Sequence, residues 1–224
     1  MTKYYIGKNT RGIASKSNFT FNFKEEKARK FILDYIQNER SINFTDIQKI
    51  MFPNDIYPDV FISHSHGDEI LAKRLKEYLG VRAFIDSEIW GNIYNLEKNL
   101  INGVLYKFDK PITYLGDETI QELNKIYSST KLILATALSN VMHNSKYFVF
   151  IETLNSRNND NTTYSPWIYF ENQLARQIFI KERTNRIVAN QEQLNESIQY
   201  KFSTDYDFLD KKANLLDIKQ YIGL

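Results

Sequence analysis

The sequence contains no cysteine, and that one absence removes disulfide bridges, thiolate nucleophiles and cysteine-ligated metal sites together. It also lacks any run of about 18 apolar residues, so no transmembrane helix and no membrane partner are expected. Its start, Met1-Thr2-Lys3-Tyr4-Tyr5-Ile6-Gly7-Lys8, has no apolar core of signal-peptide length, and the chain is expected in the cytoplasm. Charge of one sign is scarce as well: 29 Lys and Arg stand against 27 Asp and Glu, a formal net charge of +2. The richest basic stretch, Lys24 to Lys30, is interrupted by Glu25 and Glu26 and reads as a solvated helix face. Nucleic acid is therefore not expected as a partner. No internal repeat is found.

Aromatic side chains are abundant. With 15 Tyr and 15 Phe, the chain can build a large core and still offer rings that stack on a nucleotide. Its 42% hydrophobic and 25% charged residues fit a soluble globular protein, and 224 residues suit one substantial domain with an added subdomain.

The pattern along the chain predicts an α/β fold. Residues 1 to about 25 are polar and weakly periodic, a flexible arm or an irregular edge strand. Phe31, Ile32, Tyr35 and Ile36 share a helical face, and a second helix over Ile47, Ile50 and Met51 stops before Pro53. Residues 1–56 are thus expected to form an N-terminal arm and helical extension that packs on a main domain at 57–224. That domain opens with a buried strand at Asp59–Ser63, then a helix capped by Asp68 and ended by Gly80, then a strand from Val81 to Asp86. Strand, helix and strand in so short a span make a βαβ unit and imply a parallel sheet. A long middle section follows, with helices expected around Leu96–Ile101 and Ile120–Tyr127 and a buried helix at Lys131–Met142. Tyr147–Leu154 is the clearest strand. Ser165 and Pro166 start a helix as N-cap and first-turn proline, and Trp167, Phe170, Leu174, Ile178 and Phe179 carry its apolar stripe. A short strand within Gln199–Ser203 and a terminal amphipathic helix over Asp207–Ile222 complete the reading.

In open parallel sheets ligands lie beyond the C-terminal ends of the strands. The polar clusters of this chain fall there: Ser63-His64-Ser65-His66-Gly67-Asp68, Asp86-Ser87-Glu88-Ile89-Trp90-Gly91, and Asn155 through Glu171. That placement points to a small-molecule pocket.

Three of these segments carry a resemblance to a known family. Asp59-Val60-Phe61-Ile62-Ser63-His64-Ser65 resembles the first signature box of TIR (Toll/interleukin-1 receptor) domains. Ala83-Phe84-Ile85-Asp86 resembles their second strand, and Ser165-Pro166-Trp167-Ile168-Tyr169-Phe170-Glu171 is similar to their Ser-x-Trp-x-x-x-Glu motif. The resemblance spans roughly Asp59 to Ile180. It implies a flavodoxin-like fold, a central parallel sheet flanked by helices, and a glutamate, Glu171, that is essential for cleaving the nicotinamide–ribose bond of NAD+. The stretch between Asp86 and Tyr147 is longer than in a minimal TIR domain. With Glu88-Ile89-Trp90-Gly91 and Ala135-Thr136-Ala137-Leu138-Ser139-Asn140-Val141-Met142 it looks like a bacterial branch with an enlarged middle. Bacterial TIR proteins of this size are frequently parts of anti-phage systems such as Thoeris, so the resemblance implies a protein that turns NAD+ into an ADP-ribose-derived messenger, cyclic in some cases, sensed by a separate effector. Self-association through TIR surfaces is implied as well, with NAD+ as substrate and no cofactor.

The residues suit that chemistry. Breaking the glycosidic bond develops positive charge on the ribose, and a carboxylate beneath the ring stabilises it. One carboxylate is enough, because nicotinamide leaves as a neutral molecule. Trp167 shares a helix face with Glu171 and is expected to wall the pocket. Ser63, His64 and Ser65 would contact ribose or phosphate, and Asp86 and Trp90 would border the pocket from the neighbouring strand. Each residue also has an ordinary structural role to weigh: Glu171 a solvated helix glutamate, Trp167 a core aromatic, Ser65 and Asp68 helix caps, Asp86 a turn closer. His64 and His66 form a His-x-His pair with no third ligand, so no metal site is expected. A non-catalytic TIR interaction module is the competing functional reading. A receiver-like domain fits less well, because Ser63 to Gly67 supplies neither an acidic cluster nor a glycine-rich phosphate loop.

Overall fold

The structure, a computed structural model, describes residues 2–9, 57–87, 98, 101–102, 117–158, 160–180, 202–204, 206–212 and 214–224. The chain divides into two units. One takes in Met1–Lys16, Pro58–Ile85 and Met142–Leu224, and the other Ser17–Tyr57 and Asp86–Val141.

The first unit is built on a six-stranded sheet. Its strands are β1 (Lys3–Asn9), β2 (Val60–Ser63), β3 (Ala83–Ile85), β4 (Tyr147–Glu152), β6 (Phe179–Ile180) and β8 (Asp210–Lys212). A separate two-stranded ribbon joins β5 (Thr162–Thr163) to β7 (Phe202–Ser203). The main order is β3-β2-β4-β1-β6, with β8 also on β1. β2 pairs in parallel with β3 and β4, as a βαβ unit requires. β1 runs antiparallel to β4, β6 and β8. Among the described strands of this sheet, the other five therefore point one way and β1 alone points back.

The position of β1 corrects the expected arm outside a 57–224 domain. Tyr5 pairs with Phe150 on one side and Lys211 on the other, so the strand lies within the sheet. The side chain of Asn9 fixes its end, donating to the carbonyls of His143 at 3.0 Å and Ser145 at 2.9 Å. The two helices expected between Lys27 and Pro53 lie outside the described residues.

Alternation along the strands makes two unlike faces. Tyr4, Ile6, Val60, Ile62, Ile85, Val149 and Ile151 form a mostly aliphatic face. It packs against Ala72, Leu75 and Leu79 of α1 (Glu69–Leu79) and Ile218 of α4 (Leu215–Tyr221). The opposite face is aromatic. Phe84, Phe61, Phe148 and Phe179 stack in sequence across it, with centroids 5.4, 5.9 and 5.4 Å apart. Gly80 ends α1 in the left-handed conformation, φ 65°, as its place after the apolar stripe predicts.

α3 (Pro166–Ile178) starts as the sequence indicates, with Pro166 in the first turn and the Ser165 hydroxyl accepting from the Ile168 amide at 3.3 Å. The helix then passes directly into β6, so Phe179 belongs to the sheet rather than to the helical stripe. The terminal helix is shorter than expected. Asp210–Lys212 is strand, and α4 begins only after Asn214, whose side chain accepts from the Asp217 amide at 3.0 Å.

In the second unit the described element is α2 (Asp117–Asn144), whose last residues, from Met142, belong to the first unit. A single helix covers the two expected at Ile120–Tyr127 and Lys131–Met142. Neither proline nor glycine interrupts it. In the polar run between them, Thr130 donates its hydroxyl back to the Ile126 carbonyl at 2.8 Å, a bond made within the helix. Ile126 is buried, whereas Ile120 and Tyr127 are exposed. Among the described residues, no helix is long and apolar enough to cross a membrane.

Candidate functional site

β2 and β4 are neighbouring parallel strands, so the segments that leave their C-terminal ends lie side by side. Ser63 is the last residue of β2 and is paired in register with Phe150. Its side chain therefore emerges on the aromatic face, where Phe61 also points. Glu171, in the second turn of α3, meets it there: the Ser63 hydroxyl donates a short hydrogen bond to Glu171 Oε2. Glu171 is 2% exposed and Ser63 is wholly buried. A carboxylate taken out of water needs such donors, so this contact couples the strand end to the helix.

A second knot lies just beyond it. Asp68, at the end of the 3₁₀ turn His66–Asp68, was expected as the N-cap of α1, yet its side chain makes no capping bond. Its carboxylate accepts from Ser65 Oγ at 2.7 Å, Thr153 Oγ1 at 2.5 Å and Asn155 Nδ2 at 2.9 Å. These three donors come from the loops that follow β2 and β4, and Asp68 ties the two loops together. Gly67 makes room for this. A Cβ on it would stand 3.0 Å from Asn155 Nδ2.

The sequence-predicted residues separate as follows. Ser63, His64, Ser65 and Glu171 are all buried in the first unit, and Ser63 and Glu171 are in direct contact. Trp167 is half-buried on α3 and meets Phe170 edge-on at 6.2 Å, so it is only partly a core residue. His64 is buried and His66 exposed, which separates the environments of the His-x-His pair. Among the described residues, no group of three His, Asp or Glu is arranged to hold a metal ion. Asp86 follows β3 in helical conformation, and its side chain accepts from the Ser87 amide at 2.8 Å. It belongs to the second unit, and Trp90 lies outside the described residues.

Asp59, the first residue of the signature segment, stands at the opposite end of β2 from Ser63. It accepts from Arg82 Nε at 2.9 Å and pairs with Lys146 Nζ at 2.8 Å. The hydrogen bond from Arg82, reinforced by Lys146, holds its carboxyl down at about 2 against the opposing effect of burial. Its work is to pin the starts of three strands.

Several buried polar residues of the same unit escaped the sequence reading. Arg157 is buried, donating to Glu152 Oε2 at 2.8 Å and to the Thr204 carbonyl at 3.0 Å. Tyr5 sits against this pair, and burial followed by Glu152 pushes its phenol up to about 12. Tyr206 is fully buried, stacked on Phe150 with centroids 4.0 Å apart. Burial first, and then the charge of Glu171, push its phenol well above the ordinary value. The loop holding Arg157 was visible as a polar cluster. Tyr206 carried no such signal, since it fell at the edge of a segment read as helix.

No family model, curated protein or solved structure matches the chain.

Proposed function

We propose that this chain is a TIR-type enzyme that cleaves the nicotinamide–ribose bond of NAD+, with Glu171 as its catalytic carboxylate. The observation that carries the reading is the pairing of Glu171 with Ser63, two residues from separate signature segments, at the C-terminal end of a parallel strand. The reading also draws on the motif order in the sequence. In this mechanism the Glu171 anion stabilises the positive charge that spreads over the ribose as nicotinamide departs. Ser63 holds one carboxylate oxygen in place. His64, Ser65 and Trp167 line the approach. The product is ADP-ribose or a cyclic or conjugated derivative, made in the cytoplasm as a messenger for a separate effector in anti-phage defence. Self-association of the protein accompanies activity.

The burial of Glu171 favours a second reading, a non-catalytic interaction module in which the carboxylate only ties α3 to β2. Glu171→Gln distinguishes the two. A glutamine can still accept from Ser63, so the thermal midpoint should stay near that of the parent. If Glu171 is catalytic, nicotinamide release from NAD+ should fall by roughly 10²–10³-fold, the loss typical of a single well-placed electrostatic group. Undiminished release from the variant, or no release from the parent at high protein concentration, would remove the enzymatic reading.

A further inference from the structure

The Ser63–Glu171 contact continues into a lateral row across the sheet. Ser63 is in register with Phe150, and Phe150 with Tyr5, so all three side chains rise on one face. Tyr206 caps this row. Its ring lies 4.0 Å from Phe150 at an interplanar angle of 9°, and 5.5 Å from Tyr5. From above, α3 presents Glu171 and its neighbour Asn172, both buried. The Tyr206 hydroxyl sits beside Asn172 without a hydrogen bond of good geometry among the described residues. A wholly buried hydroxyl left in that state is unusual in a folded protein.

We propose that Tyr206 is a positioning residue for Glu171, its stacked ring supporting the carboxylate's seat on the sheet and its hydroxyl stabilising the anionic form. The proposal rests on the reading of Glu171 as the working carboxylate. The charge of Glu171 already reaches the phenol, adding to burial in keeping it protonated. The buried hydroxyl is committed to no other partner among the described residues, so it is free to turn its O–H dipole toward the carboxylate, and a neutral donor placed so favours the anion. Among the described residues, the other charged and titratable groups facing Tyr206 are Arg157 and Glu152, which pair with each other, and Tyr5 from β1, beneath Lys211 of β8.

Tyr206→Phe keeps the ring and removes the hydroxyl. In the full-length protein we expect an unchanged thermal midpoint, an essentially unchanged KM for NAD+ and a kcat about tenfold lower, since slight misplacement of a reacting group is costly. The Glu171 carboxyl should titrate about one unit higher. That titration is read by NMR of ¹³C-labelled glutamate, with the Glu171 signal identified by its loss in Glu171→Gln. Site-specific 3-fluorotyrosine at 206, a more acidic phenol and a stronger donor, should move the same titration downward, and it serves if Tyr206→Phe does not fold. An unmoved Glu171 titration in both variants, or unchanged kcat in an active parent, overturns the proposal. If the parent fails to cleave NAD+, the enzymatic reading falls, and the carboxyl titration still decides whether Tyr206 acts on Glu171.

Discussion

Asp59 and Asp68 illustrate how differently two buried or half-buried carboxylates serve neighbouring strands. Asp59 has a folded value of about 2, below its usual 3.8, because Arg82 and Lys146 hold its anion. A depressed carboxyl contributes stability above the unfolded value, and loses it as pH falls through the folded one. Asp59→Asn should therefore lower stability by about 1–2 kcal/mol at pH 7, allowing for solvent screening, with the difference closing between about pH 4 and pH 2. Urea denaturation across that range measures it, and a constant gap would refute the assignment. Asp68 binds three neutral donors instead, and Asp68→Ala would leave Ser65, Thr153 and Asn155 without their acceptor. A loss of about 2–4 kcal/mol is expected by the same denaturation. Gly67→Ala should cost less, about 1 kcal/mol, because only the Asn155 side chain must yield. Ser63 and Glu171 were each singled out in the sequence because both sit in the quoted segments, whereas their contact with one another was not foreseen. The three-donor knot on Asp68 was not legible either, because Thr153 and Asn155 lie in the loop after β4, far along the chain, and only the sheet order brings them close.

At the scale of elements, legibility followed apolar density. β2 and β4 are runs of consecutive buried residues, and covered parallel strands look like that in any sequence. α3 announced itself through Ser165 and Pro166, a hydroxyl cap and a residue pre-set for the first turn. β8 is Asp-Lys-Lys, three residues that read as surface, and it is a strand only because Tyr4 to Ile6 offer it backbone partners. β6 was hidden for the opposite reason, since Phe179 continues the helical stripe of α3. β1 holds only one aliphatic residue beside two tyrosines, so its burial was invisible until its neighbours were known. Its position changes what truncation should do. Deleting residues 1–9 strips β4 of one partner and leaves β6 and β8 without their pairing to the sheet. We expect that deletion to abolish cooperative unfolding, seen as a broad or absent transition by circular dichroism. A sharp transition would mean that the remaining strands close the sheet without it.

For the molecule as a whole, the sequence made an α/β sheet with a βαβ unit legible, along with a polar rim at its strand ends. It left hidden the reversed strand and the division into two units, since both depend on pairings between distant parts of the chain. β1 has one more consequence, which concerns time. Lys3–Asn9 leave the ribosome well before their partners in β4, β6 and β8, which lie far along the chain. At about 5–20 residues per second, Tyr5 waits on the order of ten seconds for Phe150. Throughout that interval the first strand is an unpaired edge, open to the wrong partner. The sheet cannot close during early synthesis, and its assembly is a late, post-emergence event whose rate is set by one long loop closure. Stalled nascent chains ending before Tyr147 should thus be cut at β1 by protease, and those extended past Tyr221 should protect it.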